Sequence, residues 1–454
     1  MRRCSCLGLR LRIDDVTDAR FRSGSDEMTK PFYEQPILNS PYLAPSLHHA
    51  LGEDGQPLEH PPIAGRRPCG YVVPVPRARK RRQQDGADTQ TSLDLEARPD
   101  ATGPEYSVAR LVDEIRQHLT TWRAIPNPAD WGVTPSTARL LSHWRSYSFE
   151  DVRPFFCQIE AVETIIWLTE IARGRKQYAH IWNHLQAANA DANPELFRLA
   201  MKMATGSGKT TVMAMLIAWH TVNAVRSPNS NLFSKGFLII TPGITIRDRL
   251  RVILPSDPDN YYASRQLVPQ DMLGEMGKAR IIITNYHAFG RRRQLETNKT
   301  GEAVLSGWRQ EPLITQETEG EMLKRACGDL LQMKNVVVIS DEAHHCYRER
   351  PESDEEASLK GEEKQEAKEN NEAARLWISG IEVLKRKVEL RAVYDLSATP
   401  FFLRGSGYEE GTLFPWVVSD FALIDAIECG IVKLPRVPVS DNAINADFPV
   451  FRNL

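Results

Sequence analysis

The sequence predicts an α/β chain built on a parallel, doubly wound sheet, and three observations carry that prediction. Short apolar, often β-branched runs recur at 196–201, 237–241, 281–284, 336–340 and 392–397, with helical or irregular stretches between them. The first run leads into Met-Ala-Thr-Gly-Ser-Gly-Lys-Thr at 203–210. The fourth, Val336-Val337-Val338-Ile339-Ser340, runs into Asp341-Glu342-Ala343-His344. A continuous apolar run of this kind reads as a strand buried on both faces.

Each element follows in order. Residues 1–30 are polar and irregular, and Met28-Thr29-Lys30-Pro31 looks like a more natural start, so the opening reads as a leader or a start artefact. Residues 31–104 are rich in proline and turn residues, with an extended piece at Tyr71–Pro76 and a basic run at Arg77–Arg82 that reads as a solvated linker. A helical pre-domain is expected over 105–150. Val108, Leu111, Val112, Ile115 and Leu119 form one helical stripe, and a second helix fits 135–147. An apolar helix begins at Pro154, Asn193-Pro194 breaks the connector, and a helix over 211–222 follows the glycine-rich loop. The α/β domain is expected to span 151–435, with an acidic insertion at 349–376 and a linking segment at 436–454. The insertion reads as an exposed helix or as disorder.

Composition excludes several classes. The chain has 454 residues, 41% of them hydrophobic and 26% charged, which is ordinary for a globular protein. No apolar run approaches the ~18 residues of a membrane span, and the arginine-interrupted N-terminus is a poor signal peptide. Seven scattered cysteines, an odd number, point to a reducing cytoplasm. Cys4 and Cys6 have no second pair nearby, and His180 and His184 lack the glutamate of a His-Glu-x-x-His site. Neither set reads as a metal site. The net charge of −2 is uneven, because Glu349–Glu372 alone carries −6. The remainder is therefore basic, and near-neutrality does not argue against a local basic groove.

The chemistry lies in the two tetrapeptide-scale motifs. A glycine-rich loop between strand and helix offers backbone N–H groups to phosphates, so Thr205, Gly206, Ser207 and Gly208 are candidate cradle residues. Lys209 would reach the β/γ-phosphates and the Thr210 hydroxyl would face Mg²⁺. Asp341 at a strand's carboxyl edge would hold the Mg²⁺ shell, and Glu342 would orient the attacking water. The pair predicts an ATP·Mg²⁺ site.

Together these motifs resemble the first, RecA-like motor domain of a superfamily-two (DEAH-type) helicase. Their wording is specifically similar to the Res subunits of type III restriction enzymes. Met203 stands where the general phosphate loop has glycine, as restriction-type motors usually write it. Phe155-Phe156-Cys157-Gln158-Ile159-Glu160-Ala161 resembles an adenine-reading Q motif, with Gln158 offering both donor and acceptor. Thr241-Pro242-Gly243 and Thr284-Asn285-Tyr286 resemble the strand-end loops that contact a nucleic-acid backbone without reading its sequence. Ser397-Ala398-Thr399 resembles the motif that couples nucleotide state to the DNA face, and the resemblance implies that His344 links the γ-phosphate region to it. Phe32–Tyr42 also looks like the opening of Res-like proteins.

The resemblance implies ATP hydrolysis driving translocation on duplex DNA, with a modification methyltransferase as partner. It also implies a second motor domain and a nuclease. No Pro-Asp followed by Glu-x-Lys occurs here in a strand context, and the chain ends soon after Phe448–Phe451. These regions are expected to belong to a larger parent protein. Two rival readings stay open at this point: a DNA-repair or RNA helicase without nuclease, and a truncated nucleotide-binding remnant without turnover.

Overall fold

The computed structural model describes residues 32–52, 55–69, 104–295, 314–350 and 361–434. The leader, Cys4 and Cys6, the 71–76 piece, the Arg77–Arg82 run, residues 351–360 of the acidic insertion and the segment after 434 lie outside the described residues.

Six parallel strands form the central sheet: β1 (Arg198–Met203), β2 (Gly236–Thr241), β3 (Arg280–Asn285), β4 (Asn335–Asp341), β5 (Glu389–Ser397) and β6 (Val417–Phe421). Their spatial order is β6-β1-β5-β4-β2-β3. The predicted strands therefore form at their predicted places, within a few residues at each end. β6 is an additional edge strand on β1, pairing Ser419 with Met201 and Phe421 with Met203. Parallel strands require crossovers, and the crossover helices cover both faces.

The helices around the sheet include α1 (Pro104–Arg123), α2 (Pro135–Ser146), α3 (Phe156–Ile166), α4 (Ala179–Ala192), α5 (Lys209–Arg226), α6 (Glu319–Cys327), α7 (Glu362–Lys387) and α8 (Leu423–Glu428). Side chains alternate across the sheet with the strand period of two. Phe237, Ile239, Val337 and Ile339 join Trp144, Trp167 and Trp219 in a core beneath α1–α5. Leu238, Ile240, Val336 and Val338 join Trp377, Ile381 and Leu384 beneath α6 and α7. Residues 105–150, set apart above as a pre-domain, thus share one core with the sheet: Leu111, Ile115, Leu140 and Trp144 are in it.

The described part of the acidic insertion includes the exposed start of the 26-residue helix α7, in keeping with the exposed-helix reading. Trp377, Ile378, Ile381 and Leu384 in the second half of that helix are buried, and this anchors the acidic half. The irregular segment 32–69 is also tied down. Arg66 binds Glu160 of α3 at 2.5 Å, and Arg67 binds Glu428 of α8 at 2.5 Å. Pro41 accepts from Phe156 N at 2.8 Å, and Cys69 N donates to Asp113 of α1. Burial alone would push the Glu160 carboxyl up, but the Arg66 and Arg123 guanidiniums outweigh it and hold the carboxyl well below its ordinary range.

Candidate active site

The site is built at the carboxyl ends of three adjacent strands, β1, β5 and β4, where ligands of open α/β sheets bind. β1 ends at Met203, and the chain turns through Thr205–Gly208 into α5, whose first residue is Lys209. Gly206 and Gly208 both take left-handed backbone angles, with φ of 84° and 88°. A Cβ at Gly208 would stand 2.2 Å from Gln158 Nε2, so close approach as well as backbone angle demands glycine there. This is a glycine loop at a helix N-terminus, a setting suited to binding an anion.

Gln158 locks that loop in place. Its Nε2 donates to the Ser207 carbonyl at 2.8 Å, and its Oε1 accepts from Phe155 N at 3.1 Å. One end of the amide thus holds the loop and the other caps α3, a positioning contact the sequence does not advertise. Ser207 is buried, and its hydroxyl donates to the Ala204 carbonyl at 2.7 Å. Thr205 is exposed, and Thr210 is partly exposed on the first turn of α5.

Beside the loop lies a cavity of about 290 Å³, lined by Phe155, Gln158, Gly206, Gly208, Tyr261 and Arg265 among others. Its size is near the lower end for small-molecule sites. The Arg265 guanidinium lies 3.6 Å from the Tyr261 ring centroid and donates to the Thr211 hydroxyl at 3.2 Å. Sequence reasoning missed Tyr261 and Arg265. Their i,i+4 spacing is the only signal, and it carries no chemistry until the fold brings it to the loop.

Across the site, β4 delivers its two carboxylates. Asp341 is buried; burial first and the Glu342 charge second push its carboxyl up to about 6, with Lys209 opposing. Glu342 sits in the left-handed region at φ 51°, ψ 49°, an uncommon conformation for a residue with a side chain. That turn aims its carboxylate at the loop, where Oε1 meets Lys209 Nζ at 2.6 Å. The loop cation and the post-strand carboxylate therefore converge on one point.

His344 Nδ1 lies 2.9 Å from Ser397 Oγ at the end of β5, and the same oxygen accepts from Thr399 N at 3.1 Å. Burial, with the nearby His345 and Lys209, pushes the His344 imidazole down to about 3, so a neutral ring makes this link. Ala398 lies between Ser397 and Thr399 in the same turn. His180, by contrast, stands away from the loop with Nε2 2.5 Å from Glu114.

The remaining candidates gather on the neighbouring strands. Thr241 ends β2 and is the register partner of Asn285 at the end of β3, so Thr241-Pro242-Gly243 and Thr284-Asn285-Tyr286 adjoin. The Thr241 hydroxyl donates to the Gly243 carbonyl at 3.0 Å, shaping its loop. Tyr286 stacks on Trp377, with centroids 5.5 Å apart and planes 5° from parallel.

A phosphate loop after the first strand, an Asp-Glu pair on a nearby strand and a histidine linked to the strand between them define a helicase-like ATP-binding motor domain. Residues 151–401, more than half of the chain, match the family model for the type III restriction enzyme res subunit. The chain belongs to that family. No curated protein and no solved structure matches it. Among the described residues, no helix is long and apolar enough to cross a membrane.

Proposed function

We propose that this chain is the ATP-binding motor of a DNA-dependent ATPase, acting as the Res-like subunit of a type III restriction endonuclease with duplex DNA as track and a methyltransferase as partner. The observation that carries it is the convergence of Lys209 and Glu342, 2.6 Å apart, between a glycine loop and the His344–Ser397 link. The left-handed cradle of Gly206 and Gly208 fits a triphosphate, and the Thr210 hydroxyl with the buried Asp341 carboxylate fits an oxygen-seeking Mg²⁺. When bound, ATP·Mg²⁺ supplies the transferable phosphoryl group.

The residues then divide the work. Lys209 neutralises phosphate charge, and Glu342 orients water and takes its proton. Gln158 fixes the loop and borders the cavity suited to a base. The His344–Ser397 link and Thr399 pass the state of the γ-phosphate region to the sheet edge, where Thr241–Gly243 and Thr284–Tyr286 meet the DNA backbone. Restriction is favoured over a nuclease-free helicase by the family match and by Met203 in the loop.

Titration of a fluorescent ATP analogue tests the nucleotide half: Lys209→Ala should abolish binding or weaken it severely, and equal affinities would remove Lys209 from the site. Cleavage of unmodified duplex DNA by the full-length protein with its methyltransferase tests the restriction half. ATP-driven movement without any cleavage would favour the helicase reading instead.

A further inference from the structure

At the opposite end of the sheet, where the strands begin, lies a second and larger cavity of about 610 Å³. Leu199 of β1 and Tyr394 of β5, register partners, form part of its floor. The segment after α3 and the start of α4 supply its walls. Leu199 is the second residue of β1, so the four steps from it to Met203 put roughly 13 Å of strand between this cavity and the start of the phosphate loop. Its volume lies well inside the ~300–1,000 Å³ of small-molecule sites.

The charges around it are all of one sign. Arg173, Arg175, Lys176 and Arg391 line the cavity, and no carboxylate does. Among the described residues, none of the four pairs with an Asp or Glu. Elsewhere Arg66, Arg67, Arg123, Arg145 and Arg198 each reach a carboxylate. Burial, and after it the Arg173 charge, lower the pKa of Arg391, with Tyr394 and Glu389 opposing. Arg173, Arg175 and Lys176 are exposed and Arg391 is partly buried, so the rim presents an unpartnered positive face to an anion.

The rest of the lining is aromatic and short of partners. Trp182 stacks on Phe197 with centroids 5.5 Å apart, and the Arg173 guanidinium lies 6.0 Å from the Trp182 ring centroid. Trp182 Nε1 and His220 Nδ1 are buried polar atoms without a hydrogen-bond partner. His220 is fully buried, its other nitrogen lying 3.0 Å from the Tyr394 hydroxyl. The wall itself is irregular: Trp167–Ala172 form a π-helical turn, which places Thr169 on the cavity and leads directly into Arg173. Such turns recur at functional sites.

We propose that this cavity is a second ligand site, separate from the phosphate loop, for a small molecule joining a planar aromatic ring to a phosphate, of the size and charge of a nucleoside monophosphate. The arginines and Lys176 take the phosphate, and the Trp182–Phe197 wall takes the ring.

Calorimetric titration of AMP, GMP, CMP and UMP, and of inorganic phosphate, into the Lys209→Ala chain tests it with the phosphate loop disabled. At least one nucleotide should bind at a single site, ~10-fold or more tighter than inorganic phosphate. Arg173→Ala and Arg391→Ala should each weaken that binding by ~10-fold or more, as loss of a charge-assisted contact does. Without ligand, Arg391→Ala should leave Tm unchanged or raise it, because it relieves repulsion; a merely structural arginine would lower it. No heat from any nucleotide at millimolar concentration overturns the proposal, as does binding indifferent to Arg173→Ala. Inorganic phosphate binding as tightly as the nucleotides overturns the aromatic half.

Discussion

Two ion pairs on the same block of strands are built in opposite ways. Arg198 and Asp395 join β1 to β5 inside the core, 2.8 Å apart and 0% exposed on both sides. Trp416 Nε1 donates to the same carboxylate at 2.9 Å, Asn193 accepts from the guanidinium at 3.1 Å, and the Trp416 ring lies 4.9 Å from it. Lys209 and Glu342 join the loop after β1 to the turn after β4 at 2.6 Å, with side chains 13% and 28% exposed. One pair is enclosed by further partners. The other is reachable from solvent and held on a strained turn. A charge meant to stay is surrounded; a charge meant to act is left room to change partner.

The largest expected effect falls on the open pair. Glu342→Gln keeps the shape of the turn and removes the base, so ATP affinity should persist while turnover in the full-length protein falls ~10²–10⁴-fold. Steady-state phosphate release beside an affinity titration reads both. Turnover within a few-fold of wild type would place the base elsewhere and erase the contrast.

The enclosed pair should respond in stability rather than chemistry. Asp395→Asn or Arg198→Met strands one buried charge and should cost about 3–5 kcal/mol in denaturant unfolding. Replacing both, as Arg198→Met with Asp395→Leu, should recover most of that loss, since buried pairs are often no better than apolar packing. A double variant as unstable as the singles would mean that the pair itself stabilises the fold.

What the sequence reveals follows the same division. The glycine loop, Asp341–His344 and the strands carrying them are local patterns of backbone angle and apolar run, and all were readable. The strand Val417–Phe421 was not. Its Asp420 interrupts the apolar run, and only the fold supplies Lys202, 2.9 Å away, to neutralise it. The ties of segment 32–69 were equally hidden, because Arg67 and Glu428 are 361 residues apart. Turn-rich composition told correctly that the segment is irregular and nothing about what holds it. Gln158 shows the middle case: its motif was legible, but its amide's grip on Ser207 required the loop and α3 to be side by side.

A smaller effect should appear at the link between the strands. Ser397→Ala removes the hydroxyl that meets His344 and accepts from Thr399 N. A hydrogen bond of ordinary strength is about 1 kcal/mol net, so DNA-stimulated turnover should fall about 5–10-fold with ATP affinity unchanged. Equal loss of affinity would make Ser397 a binding residue instead of a coupling one.

The smallest effect tests whether the open pair's turn is strained for function. Glu342 adopts φ 51°, where a side chain costs roughly 1–2 kcal/mol and glycine costs nothing. Glu342→Gly also loses the contact to Lys209, but both groups are partly exposed and such a pair contributes about 0–1 kcal/mol. Glycine adds flexibility to the unfolded chain, which subtracts about 0.5–1 kcal/mol. The terms nearly cancel, so unfolding free energy should stay within about 1 kcal/mol of wild type while turnover is lost. Glu342→Ala keeps the strain and loses the contact, so it should be the less stable of the two. If Ala proves more stable than Gly, the left-handed turn holds no strain, and the exposed pair differs from the buried one in access alone.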